Sequence, residues 1–229
     1  MLKAKKKITK KEMKKDPFLE SIYHTKEYVE ANRSMITKVG GGVFVTILAM
    51  ILFYNNLQEK KTGSEEALGK AMVSLSIGDR DNGILQLQLL TDDYSGTSAA
   101  QQGTFMLAKL FYEDNDLLTA ESYLNDFLND ATDEFHAGAL AIRSDILKSE
   151  DDLVAFESTV KKGIKVAQSE EEKDHFRLKL AALYMETNRY SEAKEIAEPI
   201  RETYERRSEL YNKADEILGH LHIVFSDEQ

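Results

Sequence analysis

The chain contains no cysteine and no tryptophan, and it has only two prolines among its 229 residues. Without cysteine there is no disulfide framework, no thiolate metal site and no cysteine nucleophile. Proline, the residue that most often interrupts a helix, is rare, and the β-branched alternation typical of strands is missing from residue 63 onward. These absences favour an all-α fold and exclude chemistry that depends on thiols.

Catalytic motifs are missing as well. The sequence has no phosphate-binding loop, no Gly-x-Ser-x-Gly and no His-Glu-x-x-His. Residues 79–83 resemble the start of a calcium loop, but Leu90 stands where the twelfth-position acid is required. His220 and His222 are two residues apart, so on a helix they point in different directions. We therefore expect no enzyme activity, no cofactor, no metal and no small-molecule substrate.

What the chain does have is an uncharged stretch of 20 residues, from Val39 to Gln58. A helix of this length rises about 30 Å, which is the thickness of the hydrocarbon core of a bilayer. The hydroxyl of Thr46, near its middle, can donate to a backbone carbonyl of the same helix. A buried core helix of a soluble protein is the alternative, but the rest of the chain is too polar to favour it. We predict a transmembrane helix at residues 39–58.

The two sides of this stretch carry opposite net charge. Residues 1–38 hold 11 basic and five acidic side chains, a net charge of +6, whereas residues 39–229 hold 19 and 35, a net charge of −16. Because cytoplasmic flanks carry the excess of Lys and Arg, residues 1–38 are predicted to be a cytoplasmic tail. Residues 59–229 are then an extracytoplasmic domain, which in a bacterium is the periplasmic part of a single-pass inner-membrane protein.

The lysine-rich tail has two other interpretations. Nucleic-acid binding is one, but the run lacks interleaved aromatic residues, and the acidic domain argues against such a partner. A cleaved signal peptide is the other, but 38 residues precede the apolar stretch and no small-residue cleavage site follows it. We therefore expect an anchor that stays attached and no nucleic-acid partner.

Local signals in the tail predict one further helix. Asp16 followed by Pro17 is typical of an N-cap and a first helical residue, so we expect a helix from Pro17 to about Lys38. Three glycines, Gly40–Gly42, then follow. They either bend the chain at the membrane surface, let another helix approach closely, or are simply tolerated within the span.

The acidic domain contains two segments with one shared pattern, which begin at Leu107 and Leu180. Each has Leu-Ala, an aromatic residue three positions after that alanine, a polar turn, and a second alanine twelve positions after the first. The small residues are Ala108 and Ala120 in one segment and Ala181 and Ala193 in the other, and the aromatics are Phe111 and Tyr184.

This pattern resembles the tetratricopeptide repeat (TPR), a pair of helices that pack closely at small residues. A weaker copy has Ala71 and Gly83 at the small positions and Ser74 in place of the aromatic. The step from Ala71 to Ala108 is 37 residues and the step from Ala108 to Ala181 is 73, close to twice as long, which predicts a degenerate middle copy near residue 144. Its helices would lie at residues 133–148 and 151–167.

A last apolar set predicts a helix that caps the open end of the stack, as repeat proteins require. Its members are Leu210, Ile217, Leu218, Leu221 and Val224. We therefore predict an all-α protein: one N-terminal transmembrane helix, then an α-solenoid of about four TPR-like hairpins with a C-terminal capping helix. A helical bundle without repeats is the alternative.

The TPR resemblance also implies candidate groove residues on the first helix of two repeats. They are Phe105, Lys109, Tyr112, Leu178, Ala182 and Met185. Exposed aromatic and methionine side chains suit a peptide or helix partner. The alternative is that these side chains are buried against the neighbouring repeat.

The whole arrangement resembles the ancillary subunit of the Sec translocon, which has a lysine-rich cytoplasmic tail, one N-terminal span and degenerate TPR units outside. That resemblance implies a membrane-anchored scaffold that assists exported proteins, with translocon subunits, periplasmic chaperones and exported proteins as partners. Two alternatives stay open. One is another envelope assembly factor, serving cell division, outer-membrane assembly or secretion, and the other is an enzyme or signalling regulator with a helical domain.

Overall fold

The computed structural model describes residues 17–129 and 133–227. The chain divides into two units, residues 1–59 and 60–229. Within the described ranges there are ten helices and no strand, so the prediction of an all-α chain is confirmed.

The first unit contains α1 (Pro17–Ala31) and the beginning of α2 (Arg33–Ser76). The expected helix from residue 17 to about 38 is interrupted only at Asn32, whose N–H still donates to the Tyr28 carbonyl at 3.0 Å and whose carbonyl accepts from the Ile36 N–H at 2.9 Å. The side-chain amide of Asn32 donates to the same Tyr28 carbonyl at 2.9 Å. Helix α2 then runs through Gly40–Gly42 without a break, so the three glycines are tolerated within it.

Helix α2 includes the uncharged stretch. It has an 18-residue window of mean hydropathy 2.0 with no buried side chain, and by length and composition it could cross a membrane. As predicted, the Thr46 hydroxyl donates within the helix, to the carbonyl of Gly42 at 3.0 Å. The middle of the stretch therefore carries this hydroxyl in a bonded state, which lowers the cost of placing it in an apolar medium.

The second unit begins within α2 and consists of helices that pack against their neighbours in chain order. These are α3 (Arg80–Asp93), α4 (Ser98–Glu113), α5 (Leu117–Asn129), α6 (Asp133–Ser149), α7 (Leu153–Val166), α8 (Glu170–Glu186), α9 (Tyr190–Thr203) and α10 (Glu209–Asp227). Helix α4 also contacts α6, and α10 contacts both α8 and α9. The helices pair as four hairpins, α2 with α3, α4 with α5, α6 with α7 and α8 with α9, and α10 follows as the predicted last helix.

Each hairpin closes at a fully buried small residue of its first helix. Ala71, Ala108, Ser144 and Ala181 all have 0% exposure. Ser144 is the small residue of the middle copy, and its hydroxyl donates to the Ala141 carbonyl at 2.7 Å. The middle copy is therefore regular in its first helix, because a serine whose hydroxyl is bonded within the helix packs as closely as an alanine.

The second helix of each hairpin presents the matching small residue in three copies out of four. Ala120 and Ala193 are fully buried, and a Cβ on Gly83 would lie 2.5 Å from the Leu75 side chain. The third copy has Phe156 at this position, 4% exposed. The degeneracy of the middle repeat is thus located in α7.

The four hairpin turns share one backbone conformation. The first helix of each hairpin ends at a residue with φ between 58° and 83°, seven positions after the small residue, and these residues are Gly78, Asn115, Asp151 and Asn188. Glycine, asparagine and aspartate tolerate this left-handed region better than other residues. In each turn the next N–H donates to the carbonyl five residues earlier, as in Asp79 to Ser74 at 2.9 Å and Arg189 to Tyr184 at 2.7 Å.

The residue after the left-handed position begins the second helix. In three hairpins it is an aspartate whose carboxylate accepts from a backbone N–H three residues on, at 3.4 Å for Asp79, 3.2 Å for Asp116 and 3.0 Å for Asp152. A side-chain N-cap of this kind is worth about 1 kcal/mol. The turn chemistry therefore repeats with the same 36–37-residue step as the small residues.

Two helical glycines give a matched test of this packing. A Cβ on Gly163 would lie 2.2 Å from the ring of Phe176, which is itself 4% exposed and cannot move freely. Gly163→Ala should therefore destabilise the domain by about 1–3 kcal/mol through overpacking. A Cβ on Gly219 meets nothing within 4 Å, so Gly219→Ala should stabilise α10 by about 0.5–1 kcal/mol. Urea unfolding of the purified full chain, followed by circular dichroism, measures both, and equal effects would contradict this account of the packing.

Candidate functional site

A groove lies between α8 and α10, the first helix of the last hairpin and the last helix of the chain. Its volume is about 670 Å³. We call it the α8–α10 groove. The residues that define it are Leu178, Ala182 and Met185 from α8, and Lys213, Ile217 and His220 from α10.

The floor of the groove is apolar. Leu178 and Ile217 are 3% and 9% exposed and belong to the main core cluster of the domain. Met185 is half-buried against the same cluster, and Ala182 is exposed on the wall. An incoming apolar side chain would therefore contact a surface that is already held in place by the core.

The two lysines at the rim have partners. Lys179 Nζ lies 2.5 Å from Asp145 Oδ1 and 3.1 Å from Ser144 Oγ, which ties α8 to α6. Lys213 Nζ lies 2.6 Å from Glu209 Oε1 within α10. The two lysines of the lining are thus each paired with a carboxylate, and Glu186 and Glu216 complete the charged part of the lining.

The turn after α8 is fixed by an ionic network. Arg189 Nη2 lies 2.5 Å from Glu192 Oε1, and Nη1 lies 3.3 Å from Glu157 Oε1 on α7. The same guanidinium stands 3.7 Å from the centroid of the Tyr184 ring. A hydrogen bond from Lys161 is the main cause that lowers the pKa of Glu157, and the bonds from Arg189 add to it. Likewise, hydrogen bonds from Arg189 lower the pKa of Glu192.

The three candidates from the earlier repeat have a different environment. Phe105 is half-buried, with its ring centroid 5.3 Å from Phe135 and 5.6 Å from Phe127, so it packs between repeats. Lys109 is exposed beside Glu113 at 3.8 Å. Tyr112 is half-buried, and burial, followed by the charge of Asp145, raises its pKa.

The structure therefore brings together one half of the candidate set. Leu178, Ala182 and Met185 line the α8–α10 groove, whereas Phe105, Lys109 and Tyr112 do not. Phe105 and Tyr112 pack against one core cluster and Met185 against another, of which Leu178 is a buried member.

The opposite wall of the groove was missed by sequence reasoning. Helix α10 was expected only as a cap, yet Lys213, Ile217 and His220 line the groove from it. A signal for this role was present in Ala214, which is fully buried and lies 33 residues after Ala181. It marks α10 as a further first helix of the repeat series.

The arrangement suits binding. Within residues 17–129 and 133–227, no group of three or more His, Cys, Asp or Glu side chains is placed to hold a metal ion. An apolar floor with charges at the rim is the usual composition of a site that holds an apolar segment of another molecule.

Comparison with known proteins gives one match. A family model described as a tetratricopeptide repeat-like domain matches residues 26–147, just over half of the chain. The matched range begins within α1, includes the apolar part of α2 and ends in α6. No curated protein and no solved structure matches the chain.

The ionic network predicts a pH dependence of stability. Because the folded-state pKa of Glu157 lies below its ordinary value, its contribution is present above about pH 4.5 and is lost as the pH falls through the folded-state pKa. Glu157→Gln should therefore flatten the decrease in unfolding free energy between about pH 5 and pH 3. Glu195→Gln, on the exposed side of α9, should keep the original slope. Urea unfolding of the full chain at a series of pH values measures how the unfolding free energy depends on pH. Identical slopes for the unchanged chain and both variants would contradict the prediction.

Proposed function

The chain belongs to the tetratricopeptide repeat-like domain family, and from this premise we propose that it is a membrane-anchored scaffold that binds a segment of a partner protein in the α8–α10 groove. Repeats of this type stack helical hairpins into a surface that other proteins contact. The observation that carries the proposal is the apolar floor formed by Leu178, Met185 and Ile217 between two first helices.

The size of the groove favours a short segment as the occupant. At about 670 Å³ it lies within the range of about 300–1,000 Å³ in which ligand sites fall. It has room for a few side chains of a helix or an extended peptide. Met185 lies in the groove, and methionine adapts its shape to different apolar partners.

The proposed location is the cytoplasmic membrane of a bacterium, with a single span. The apolar window of α2 and the change from +6 before residue 39 to −16 after it support an N-terminus in the cytoplasm and a repeat domain outside. The family match includes the apolar part of α2, so the anchor and the repeats belong to one matched unit.

The proposed partners are exported proteins, with translocon subunits and periplasmic chaperones beside them. Polypeptides that have just crossed the membrane are unfolded, and they expose the apolar segments that an apolar groove can hold. This makes the protein a chaperone-like assistant of the Sec translocon. Another envelope assembly factor of the same architecture is the alternative, and the identity of the bound proteins distinguishes the two.

A charge placed in the groove tests the binding site. Ala182→Arg puts a cation on the exposed wall, and arginine is well tolerated in helices, so the fold should persist while partner binding falls at least several-fold. Ser122→Arg adds the same charge on the exposed side of α5 and should bind as the unchanged chain does. Tagged full-length proteins are purified from membranes and the bound envelope proteins are quantified by mass spectrometry. Equal recovery with both variants would overturn the groove assignment.

The orientation is tested separately by a reporter. An enzyme that is active only outside the cytoplasm, fused after Gln229, should give activity, because the acidic domain follows the span on the side away from the basic tail. The same reporter fused after residue 38 of a truncated chain should be silent. Activity of a cytoplasm-only reporter after Gln229 would contradict the proposed location.

A further inference from the structure

We propose that two copies of this chain pair in parallel along one face of α1 and the first part of α2, forming a coiled coil that continues into the span. The contact face, which we call the heptad seam, contains Ile22, Thr25, Val29, Asn32 and Ile36, which follow one another in alternating steps of three and four residues. Such a 3–4 alternation is the pattern of a two-stranded coiled coil.

The apolar seam residues that precede the uncharged stretch are exposed. Ile22, Val29 and Ile36 have 50%, 44% and 38% of their surface accessible. These three apolar side chains lie in the segment that the proposed topology places in the cytoplasm. A partner that covers them would remove apolar surface from water, which favours association by about 25 cal/mol per Å².

The charged side chains around α1 are placed so that a second copy can pack along the seam. Of the three acids of α1, Glu20 and Glu27 lie opposite the seam, and Glu30 lies at the edge of the cavity that Ile22, Thr25 and Val29 line. The positions that flank the seam carry Ser21 and Lys26 in one heptad and Tyr28 and Arg33 in the next. In a parallel pair these flanking positions face each other as Ser21–Lys26 and Tyr28–Arg33, so no like charges meet.

The shape of the helix surface agrees with this pairing. A shallow cavity of about 430 Å³ on α1 is lined by Ile22, Thr25 and Val29 together with residues beside them. A depression between four residues of one helix is what receives a side chain of the facing helix in a coiled coil. Further on, Gly40 and Gly42 flank the seam with nothing within 4 Å of a Cβ, so the two backbones can approach closely.

A membrane surface is a weaker candidate for this face. The polar side of α1 carries Glu20, Glu27 and Glu30, which anionic lipid head groups repel. The parallel direction of the pair rests on the proposed function, since two copies with the same topology must run in the same direction. The heptad spacing itself does not depend on what the repeat domain binds.

Disulfide trapping tests the seam, and the chain has no cysteine to interfere. Full-length Ile22→Cys and Val29→Cys in native membranes should form covalent dimers on mild oxidation at least five-fold more readily than Glu20→Cys and Glu27→Cys on the opposite side. The difference is expected because the seam residues of the two helices would lie side by side, whereas the residues on the outer side would lie about a helix diameter further apart. Equal trapping at all four positions, or none at Ile22 and Val29, would overturn the proposal.

A charge exchange gives an independent test. Val29→Glu and Val29→Lys place like charges opposite each other in homodimers, so each variant alone should lose most of its self-association. Differently tagged copies of the two variants, expressed together, should recover it, because opposite charges then meet at position 29. Glu27→Lys should associate as the unchanged chain does. Failure of the mixed pair to recover while each variant still folds would contradict the seam.

Topology is read in the same samples. In intact cells, a maleimide that cannot cross the membrane should leave Glu27→Cys unlabelled if α1 is cytoplasmic. Labelling there, with dimer trapping at Val29→Cys, would overturn the proposed topology and keep the seam. No labelling, with no trapping, would overturn the seam and keep the topology.

Discussion

The repeat domain depends on the close approach of helices at small residues that are completely buried. Ala71, Ala108, Ser144 and Ala181 have no exposed surface, and a larger side chain at any of them would push apart the two helices of a hairpin. Helix α10 also carries a completely buried small residue, Ala214, although its step of 33 residues after Ala181 is shorter than that of the hairpins. The α8–α10 groove is therefore a consequence of the repeat and is not a separate feature of the fold.

The turns and ion pairs then fix the direction of each helix. A left-handed residue ends the first helix of every hairpin, and an aspartate caps the second helix in three of the four. Lys179 and Asp145 join α8 to α6 across the repeat boundary. Both walls of the groove are thus held by contacts outside it, and a bound segment would meet a surface that needs little ordering, which reduces the entropic cost of binding.

A small residue at a close contact between helices admits few substitutions. Such residues therefore recur at a regular spacing along the sequence, and this spacing predicted the helix pairs. The middle copy, expected at residues 133–148 and 151–167, has helices at Asp133–Ser149 and Leu153–Val166. The accessibility of groove residues was harder to predict, because it depends on the neighbouring repeat. Phe105 on α4 contacts Phe135 of the next hairpin. Ala182 on α8, two hairpins after α4, lies in an open groove.

The central claim is that the α8–α10 groove holds a segment of an envelope protein outside the cytoplasm. Site-specific photocrosslinking in intact cells tests it most directly, with the photoreactive residue at Ala182 in the groove and at Ser122 on the exposed side of α5. The account predicts crosslinks from position 182 to exported proteins, translocon subunits or periplasmic chaperones. Far fewer of these products should form from position 122. Crosslinks from position 182 that are confined to the chain itself, or the same products from both positions, would contradict it.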